Sequence, residues 1–253
     1  MLNNKKLLEG KNALITGANK GIGLKIVEKL AEEGANIIAC SRKENKEFKN
    51  IINNIIQKYK IKISPFYFDL EDKEQIKKSF ESIKSEFKSV DILVNNAASI
   101  DTSNFMMTSI NNSKKLFDIN YFSQIHLVQL VSKMMISNKS GNIINIASTA
   151  GIDANEGRIS YSATKAALIN SSKILAKELS AFNIRVNVVA PGLIDTDMMK
   201  KNTKNEIIDN VVKNLTIKRV GSPEEIANVV FFLASDLSSY INGQVIRVDG
   251  GML

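Results

Sequence analysis

From one end of the chain to the other, apolar runs of strand length alternate with amphipathic stretches of helix length. The strand candidates are Asn12–Thr16, Asn36–Cys40, Ile61–Phe68, Asp91–Asn95, Asn142–Ala147, Arg185–Ala190 and Gln244–Val248. Helical periodicity runs through Gly21–Glu33, Asp72–Phe87, Ser113–Ile136, Ser160–Phe182 and Pro223–Leu233. Near-continuous apolar strands separated by helices are what a sheet buried on both faces requires. The alternation predicts βαβ units, and so an α/β fold: a doubly wound parallel sheet with helices on both faces. Right-handed crossovers then gather the carboxyl ends of the strands on one edge, where ligands bind. No internal repeat or low-complexity linker interrupts the pattern. A chain of 253 residues is a normal size for one such domain, and a single domain over 1–253 is expected.

Composition narrows the chemistry. One cysteine, Cys40, cannot make an internal disulfide or a cysteine-built metal site, and no metal is expected. One histidine, His126, argues against a Ser-His-Asp or His-ligated mechanism, because it would be the only player. The net charge of +8 can attract nucleic acid, acidic proteins or anionic small molecules. The positive charges are scattered, there is no Trp, and no basic stripe interleaves with aromatics, so nucleic acid is not expected as a partner. Met1–Gly10 lacks the apolar core of a secretory signal, and no apolar run approaches the length of a membrane span. No membrane association and a cytoplasmic location are expected.

The first strand candidate runs directly into Thr16-Gly17-Ala18-Asn19-Lys20-Gly21-Ile22-Gly23. Gly17 permits a tight turn, Gly21 lets backbone approach a pyrophosphate, and Gly23 lets a helix pack close to the strand. The free N–H groups at the start of that helix, around Asn19–Gly23, would face phosphates. The spacing departs from the general G-x-G-x-x-G fingerprint, but its place after a first strand reads as a dinucleotide site. In an NAD site an acidic residue usually ends the second strand. Here that place is Ser41, followed by Arg42, with no carboxylate to repel a 2′-phosphate. Arg42 and Lys20 could both reach such a phosphate, which favours NADP(H) over NAD(H). Asp69, followed by Leu70 at the end of the third strand, could accept from the adenine amino group or cap the next helix.

Tyr161-Ser162-Ala163-Thr164-Lys165 places a phenol and an amine one helical turn apart on a shared face. A free tyrosine is a poor acid near neutrality, and a neighbouring ammonium is expected to lower its pKa. Such a tyrosine can deliver a proton to a developing alkoxide. Ser148, closing the fifth strand candidate, would lie on the same edge with its hydroxyl near the substrate oxygen.

Taken together, the glycine turn at Thr16–Gly23, Asp69, Asn95-Asn96-Ala97, Asn120, Ser148, Tyr161-x-x-x-Lys165 and Pro191-Gly192 resemble the short-chain dehydrogenase/reductase family over nearly the whole chain. The resemblance implies a Rossmann-like fold and a catalytic tetrad of Asn120, Ser148, Tyr161 and Lys165. Tyr161 would be the acid in reduction, Ser148 would polarise the carbonyl, and Lys165 would also bond the nicotinamide ribose. Asn120, in the long helix before the fifth strand, would position a water that restores the proton. Asn95 and Ala97 would line the adenosine ribose and nicotinamide side. Pro191, Gly192, Ile194 and Thr196 follow the sixth strand, with Ile194 on the carboxamide and Thr196 near the pyrophosphate. The family usually reads Asn-Asn-Ala-Gly after the fourth strand, and Ala98 replaces that glycine here. The family also implies a homotetramer built through the long helices carrying Asn120 and Tyr161 and through the last strand.

The C-terminal third is most similar to 3-oxoacyl-acyl-carrier-protein reductases, in Asn187–Gly192, Gly221–Glu225 and Tyr240–Met252. This implies an NADPH-dependent ketoreductase acting on a small or carrier-bound ketone, first of all a 3-oxoacyl thioester. The net positive charge would steer an acidic carrier. Against it, Ser99–Asn112 lacks the basic residues such enzymes often carry. Asp153, Asn155, Glu156 and Arg158 would suit a sugar or polyol, or form a solvated loop. A lid is expected around 193–217, with Ile207, Ile208, Val211, Val212 and Leu215 on one apolar face that closes over an acyl chain or packs on its own domain. Cys40, His126 and the pairs Met106-Met107, Met134-Met135 and Met198-Met199 read as structural. A cofactor-binding protein without turnover is the remaining reading, and the complete tetrad argues against it.

Overall fold

In the computed structural model, which describes residues 6–252, seven strands form one parallel sheet. The strands are β1 (Asn12–Thr16), β2 (Asn36–Ser41), β3 (Ile63–Tyr67), β4 (Ile92–Asn95), β5 (Gly141–Ile146), β6 (Ile184–Pro191) and β7 (Val245–Val248). Their order is β3-β2-β1-β4-β5-β6-β7, with every neighbouring pair parallel. The direction of winding reverses between β1 and β4, which opens a crevice at the carboxyl edge there. The helices are α1 (Gly21–Glu32), α2 (Lys46–Tyr59), α3 (Lys73–Glu86), α4 (Ile110–Phe117), α5 (Ser123–Asn138), α6 (Ile159–Leu179), α7 (Asp197–Asn202), α8 (Asn205–Asn214) and α9 (Pro223–Ala234). No helix among the described residues is long and apolar enough to cross a membrane.

Alternate strand residues supply two cores. Ala13, Ile15, Ile37, Ala39, Ile92, Val94, Ile144 and Ile146 pack with Ile26, Leu30, Phe48, Val230 and Leu233 of α1, α2 and α9. Leu14, Ile38, Cys40, Leu93, Ile143 and Val186 pack on the other face with Ile76, Phe80, Leu127, Val131 and Met135 of α3 and α5. The two-residue period of a strand assigns each side chain to one layer. Helix starts follow from capping chemistry. Asn45 accepts from the N–H groups of Glu47 and Phe48, and Asp72 from those of Glu74 and Gln75. Ser222 and Glu225 form a reciprocal capping box with Pro223 in the first turn of α9.

Three expectations change. The helix predicted through Ser113–Ile136 is interrupted by a π-helical turn at Asp118–Phe122, so Asn120 lies in that turn rather than in a regular helix. Asp72, not Asp69, caps α3. The pair Met106-Met107 is not core: both side chains are 80% or more exposed on a short turn.

Candidate active site

The glycine turn lies at the carboxyl edge of β1 and is fastened on two sides. Ala18 N–H donates to the Cys40 carbonyl at the end of β2 (3.0 Å). On the β4 side, Thr16 Oγ1 accepts from Asn96 N–H and Ala97 N–H (both 3.0 Å), and Asn96 Nδ2 donates to the Thr16 carbonyl at 2.9 Å. Gly17 and Gly21 take positive φ, 64° and 53°. A Cβ on Gly23 would lie 2.1 Å from the Gly17 carbonyl oxygen, so α1 can pack this closely only on a glycine. Lys20 starts α1 without a side-chain cap, and no acidic residue occupies the first turn. The main-chain N–H groups at this terminus are open to an anion. Thr196 Cγ2 would lie 3.5 Å from a Cβ on Gly21, so the chain after β6 passes directly over the turn. These residues fit a dinucleotide pyrophosphate between Asn19–Gly23 and Thr196. Ser41 is buried and ends β2, while Arg42 is exposed immediately beyond it.

Not every expected side chain is free. Asn95 is fully buried, with Nδ2 bonded to Asn145 Oδ1 at 2.8 Å, and Asn145 continues to Ser172. Its Oδ1 is buried without a protein partner, so the Asn95 side chain is committed to the interior on its Nδ2 side only. Leu70 is buried, and its carbonyl accepts from Ser123 Oγ. Asp69 Oδ1 accepts from Glu71 N–H in a local turn. Pro191 closes β6, and Gly192 N–H continues to the Val248 carbonyl. Ile194 is buried and bridges to Gly221.

The proposed tetrad converges on the same edge. Lys165 is fully buried, and its Nζ donates to the Ile146 carbonyl at 2.7 Å, at the end of β5, while lying 5.8 Å from the centroid of the Tyr161 ring. Ser148 follows β5 by two residues and caps the short turn Thr149–Gly151, accepting from Ala150 N–H. A Cβ on Gly151 would meet the α6 backbone at Lys165 and Ala166 within 2.8 Å, so this turn lies flat against α6 beside the tetrad. Asn120 is fully buried; its Oδ1 accepts from Ser99 N–H and its Nδ2 donates to the Ser99 carbonyl (both 2.8 Å) and to Thr164 Oγ1. Gln124, one helical turn on, donates to the Ala97 carbonyl at 2.8 Å. Asn120 and Gln124 together clamp the segment that contains Ala98. Asn96 and Gln124 join the site through contacts that the sequence does not announce. Asn96 directly follows the Asn95 that ends β4, whereas no local pattern marks Gln124.

The electrostatics correct one expectation. Burial drives the Tyr161 phenol above its ordinary value; a hydrogen bond from Ser148 and the charge of Arg158 oppose this. Lys165 is not among the groups lowering it. Burial itself brings the Lys165 amine down to about 7, so it is poised between its two protonation states. The Cys40 thiol is buried and pushed far up, which leaves it inert.

In the loop before α6, Asn155 and Glu156 are exposed, whereas Asp153 and Arg158 are tied down. Asp153 is held by Arg247 through two bonds (3.0 and 2.8 Å), and Arg158 donates to the Asn202 carbonyl and Thr203 Oγ1. The expected lid is α7 and α8. No residue of α8 is buried, so its apolar face is not packed into the domain core, although Leu215 just beyond it is.

An anion-ready helix terminus at the switch point, with a buried phenol and amine beside it, defines an oxidoreductase built around a pyridine dinucleotide. The comparisons agree. A family model described as enoyl-(acyl-carrier-protein) reductase matches residues 17–253. The chain is 40% identical over 245 residues to a 3-oxoacyl-[acyl-carrier-protein] reductase of Aquifex aeolicus, covering 97% of this chain and 98% of that one. Among solved structures it is similar to a 7α-hydroxysteroid dehydrogenase complexed with NADH and a 7-oxo bile acid (TM-score 0.93, 34% identity, 100% and 98% coverage). It is also similar to an L-sorbose reductase from Gluconobacter frateurii complexed with NADPH and L-sorbose (TM-score 0.90, 32% identity, 98% of each chain). The chain belongs to the short-chain dehydrogenase/reductase family and is an NAD(P)-dependent oxidoreductase.

Proposed function

We propose that the chain reduces the ketone of a 3-oxoacyl thioester to a secondary alcohol, using NADPH and the tetrad Asn120, Ser148, Tyr161 and Lys165. The bound dinucleotide supplies the hydride. Ser148 holds the carbonyl oxygen by its hydroxyl, and the protonated phenol of Tyr161 donates to that oxygen as negative charge develops. Loss of the phenolic proton leaves a phenolate one turn from Lys165. Negative charge there favours the ammonium form of an amine that burial has brought to about 7. Asn120 fixes Ser99 and Thr164, and through them the wall of the pocket and the first turns of α6.

The observation that carries the acyl reading is exposed apolar surface on the segments that follow β4 and β6, the strands whose carboxyl ends border the site. Phe105, Met106, Met107 and Ile110 after β4, and Met198 and Ile207 after β6, are exposed large apolar side chains. Apolar surface of this kind suits an acyl chain better than a polyol. The relative from Aquifex aeolicus, named for 3-oxoacyl-acyl-carrier-protein reduction, supports the same choice. The second reading is a sugar or polyol substrate, favoured by the likeness to the sorbose reductase and by exposed Asn155 and Glu156. NADPH consumption with acetoacetyl thioesters, run beside keto-sugars and polyols, separates the two. Turnover of the thioester with little of the sugars is expected; the reverse pattern overturns the acyl reading.

Preference for NADP(H) rests on Arg42 and Lys20 with Ser41 in place of a carboxylate. Arg42→Ala is expected to raise KM for NADPH about tenfold while changing that for NADH less than about twofold, because a guanidinium bonds phosphate in a way a ribose hydroxyl does not need. Equal losses for both would mean that Arg42 does not read the 2′-phosphate. A cytoplasmic homotetramer belongs to the same reading, and light scattering of the purified protein tests the assembly.

A further inference from the structure

Arg158 sits at the start of α6, three residues before Tyr161, and is half-buried. One nitrogen, Nη2, reaches across to the lid, donating to the Asn202 carbonyl at 3.0 Å and to Thr203 Oγ1 at 3.1 Å. Asn202 is the last residue of α7, and its carbonyl is one that a helix end leaves without an internal partner. The guanidinium therefore finishes α7 from a different part of the chain. Among the described residues Arg158 forms no salt bridge. Asp153 in the same loop pairs with Arg247, Asp195 before α7 pairs with Lys200, and Glu156 in the same loop is exposed. A half-buried cation held only by neutral oxygens favours negative charge beside it. The Arg158 carbonyl accepts from Ser162 N–H at 2.8 Å, so Arg158 belongs to the first turn of α6 and stands one turn before Tyr161 on a shared side of the helix, where its charge opposes the burial that raises the phenol. Ser148 contributes a hydrogen bond to the phenol from the turn after β5, and Lys165 on α6 donates to Ile146.

We propose that Arg158 is a positioning residue that ties the lid to the proton donor: its Nη2 holds the end of α7 from a position one helical turn before Tyr161. Movement of α7 away from the site then removes the groups that orient Arg158 and changes the acid strength of Tyr161. Lid position and proton donation are coupled through one side chain. The proposal rests on Tyr161 as the donor. That reading fails separately if the Tyr161→Phe protein still turns over, an outcome that does not involve Arg158.

The test uses Arg158→Met and Arg158→Lys in the full chain, with kcat and KM for ketone reduction measured across pH. Arg158→Met is expected to raise the ketone KM about tenfold, as a loosened positioning element does, and to leave KM for NADPH within about twofold. It should also move the alkaline limb of kcat/KM to higher pH, because a phenol without its cationic neighbour holds its proton longer. Hydrogen exchange at the amides of 198–203 should quicken. Arg158→Lys keeps the charge without the planar fork, so it should raise the ketone KM and leave the alkaline limb in place. If the methionine protein does not fold, the lysine protein decides alone: wild-type KM, or a displaced limb, overturns the proposal. A raised KM with an unmoved limb in Arg158→Met makes Arg158 a structural clamp only, and likewise overturns it.

Discussion

Tyr161→Phe is expected to lower kcat/KM for ketone reduction by about a thousandfold, or about 4 kcal/mol of barrier, while NADPH binding changes less than about twofold. The substitution removes one oxygen from a side chain that is buried and packed, so the loss falls on proton donation rather than on the fold. The pH dependence follows from the same phenol. Reduction requires the protonated form, and burial raises the phenol above its ordinary value. Reduction should therefore hold level through neutrality and decline as pH rises through the raised value. Oxidation of the alcohol requires the phenolate and should increase over that alkaline range. An unchanged rate in Tyr161→Phe, with nucleotide binding intact, contradicts the assignment of the proton donor.

The second large effect is on the nucleotide turn. Gly23→Ala should weaken NADPH binding by more than about a hundredfold and destabilise the fold by about 1–3 kcal/mol. The added Cβ would meet Gly17 O at 2.1 Å and Gly17 C at 2.8 Å, both backbone atoms that cannot rotate away. The turn has to open or α1 has to retreat, and either one displaces the helix terminus from the phosphates. Gly21→Ala offers a graded comparison. Its Cβ would rest 3.5 Å from Thr196, ordinary contact, so only its positive φ of 53° opposes the change. Its loss should be the smaller of the two. Titration with NADPH alongside thermal melting separates binding from stability; equal affinities for wild type and Gly23→Ala would contradict the close packing.

The fold was legible because its strands are buried on both faces. Runs such as Asn12–Thr16 and Arg185–Ala190 stand out as apolar segments, and their observed bounds differ by no more than two residues at either end. Lys46–Tyr59 is hard to read as a helix from sequence: it is amphipathic but carries several asparagines, which favour turns and caps over helix interiors. Residues with a local signature were legible too. Gly17, Gly21, Gly23, Tyr161 and Lys165 declare themselves by spacing.

What spacing cannot carry is contact across the chain. Asp118–Phe122 has helical periodicity whether it coils as α or π. The wider turn there carries Asn120, whose side chain reaches Ser99 and Thr164. The bond from Arg158 to Asn202 joins residues far apart in sequence, so nothing local tells Arg158, which the lid engages, from its exposed neighbours Asn155 and Glu156. The acid strength of Tyr161 is hidden from the sequence for a related reason. A one-turn separation on a helix implies proximity to Lys165, but it does not reveal that both groups are buried or that the amine is turned toward Ile146.

The most direct test of the account follows the hydride itself. The intact protein is incubated with acetoacetyl thioester and NADPH carrying deuterium at the transferable C4 position, and the product is examined by mass spectrometry. The account predicts one deuterium bonded to carbon 3 of a 3-hydroxyacyl thioester, formed in step with NADP⁺. NADP⁺ formation without label at that carbon, or no reaction with this or any other ketone, would contradict it.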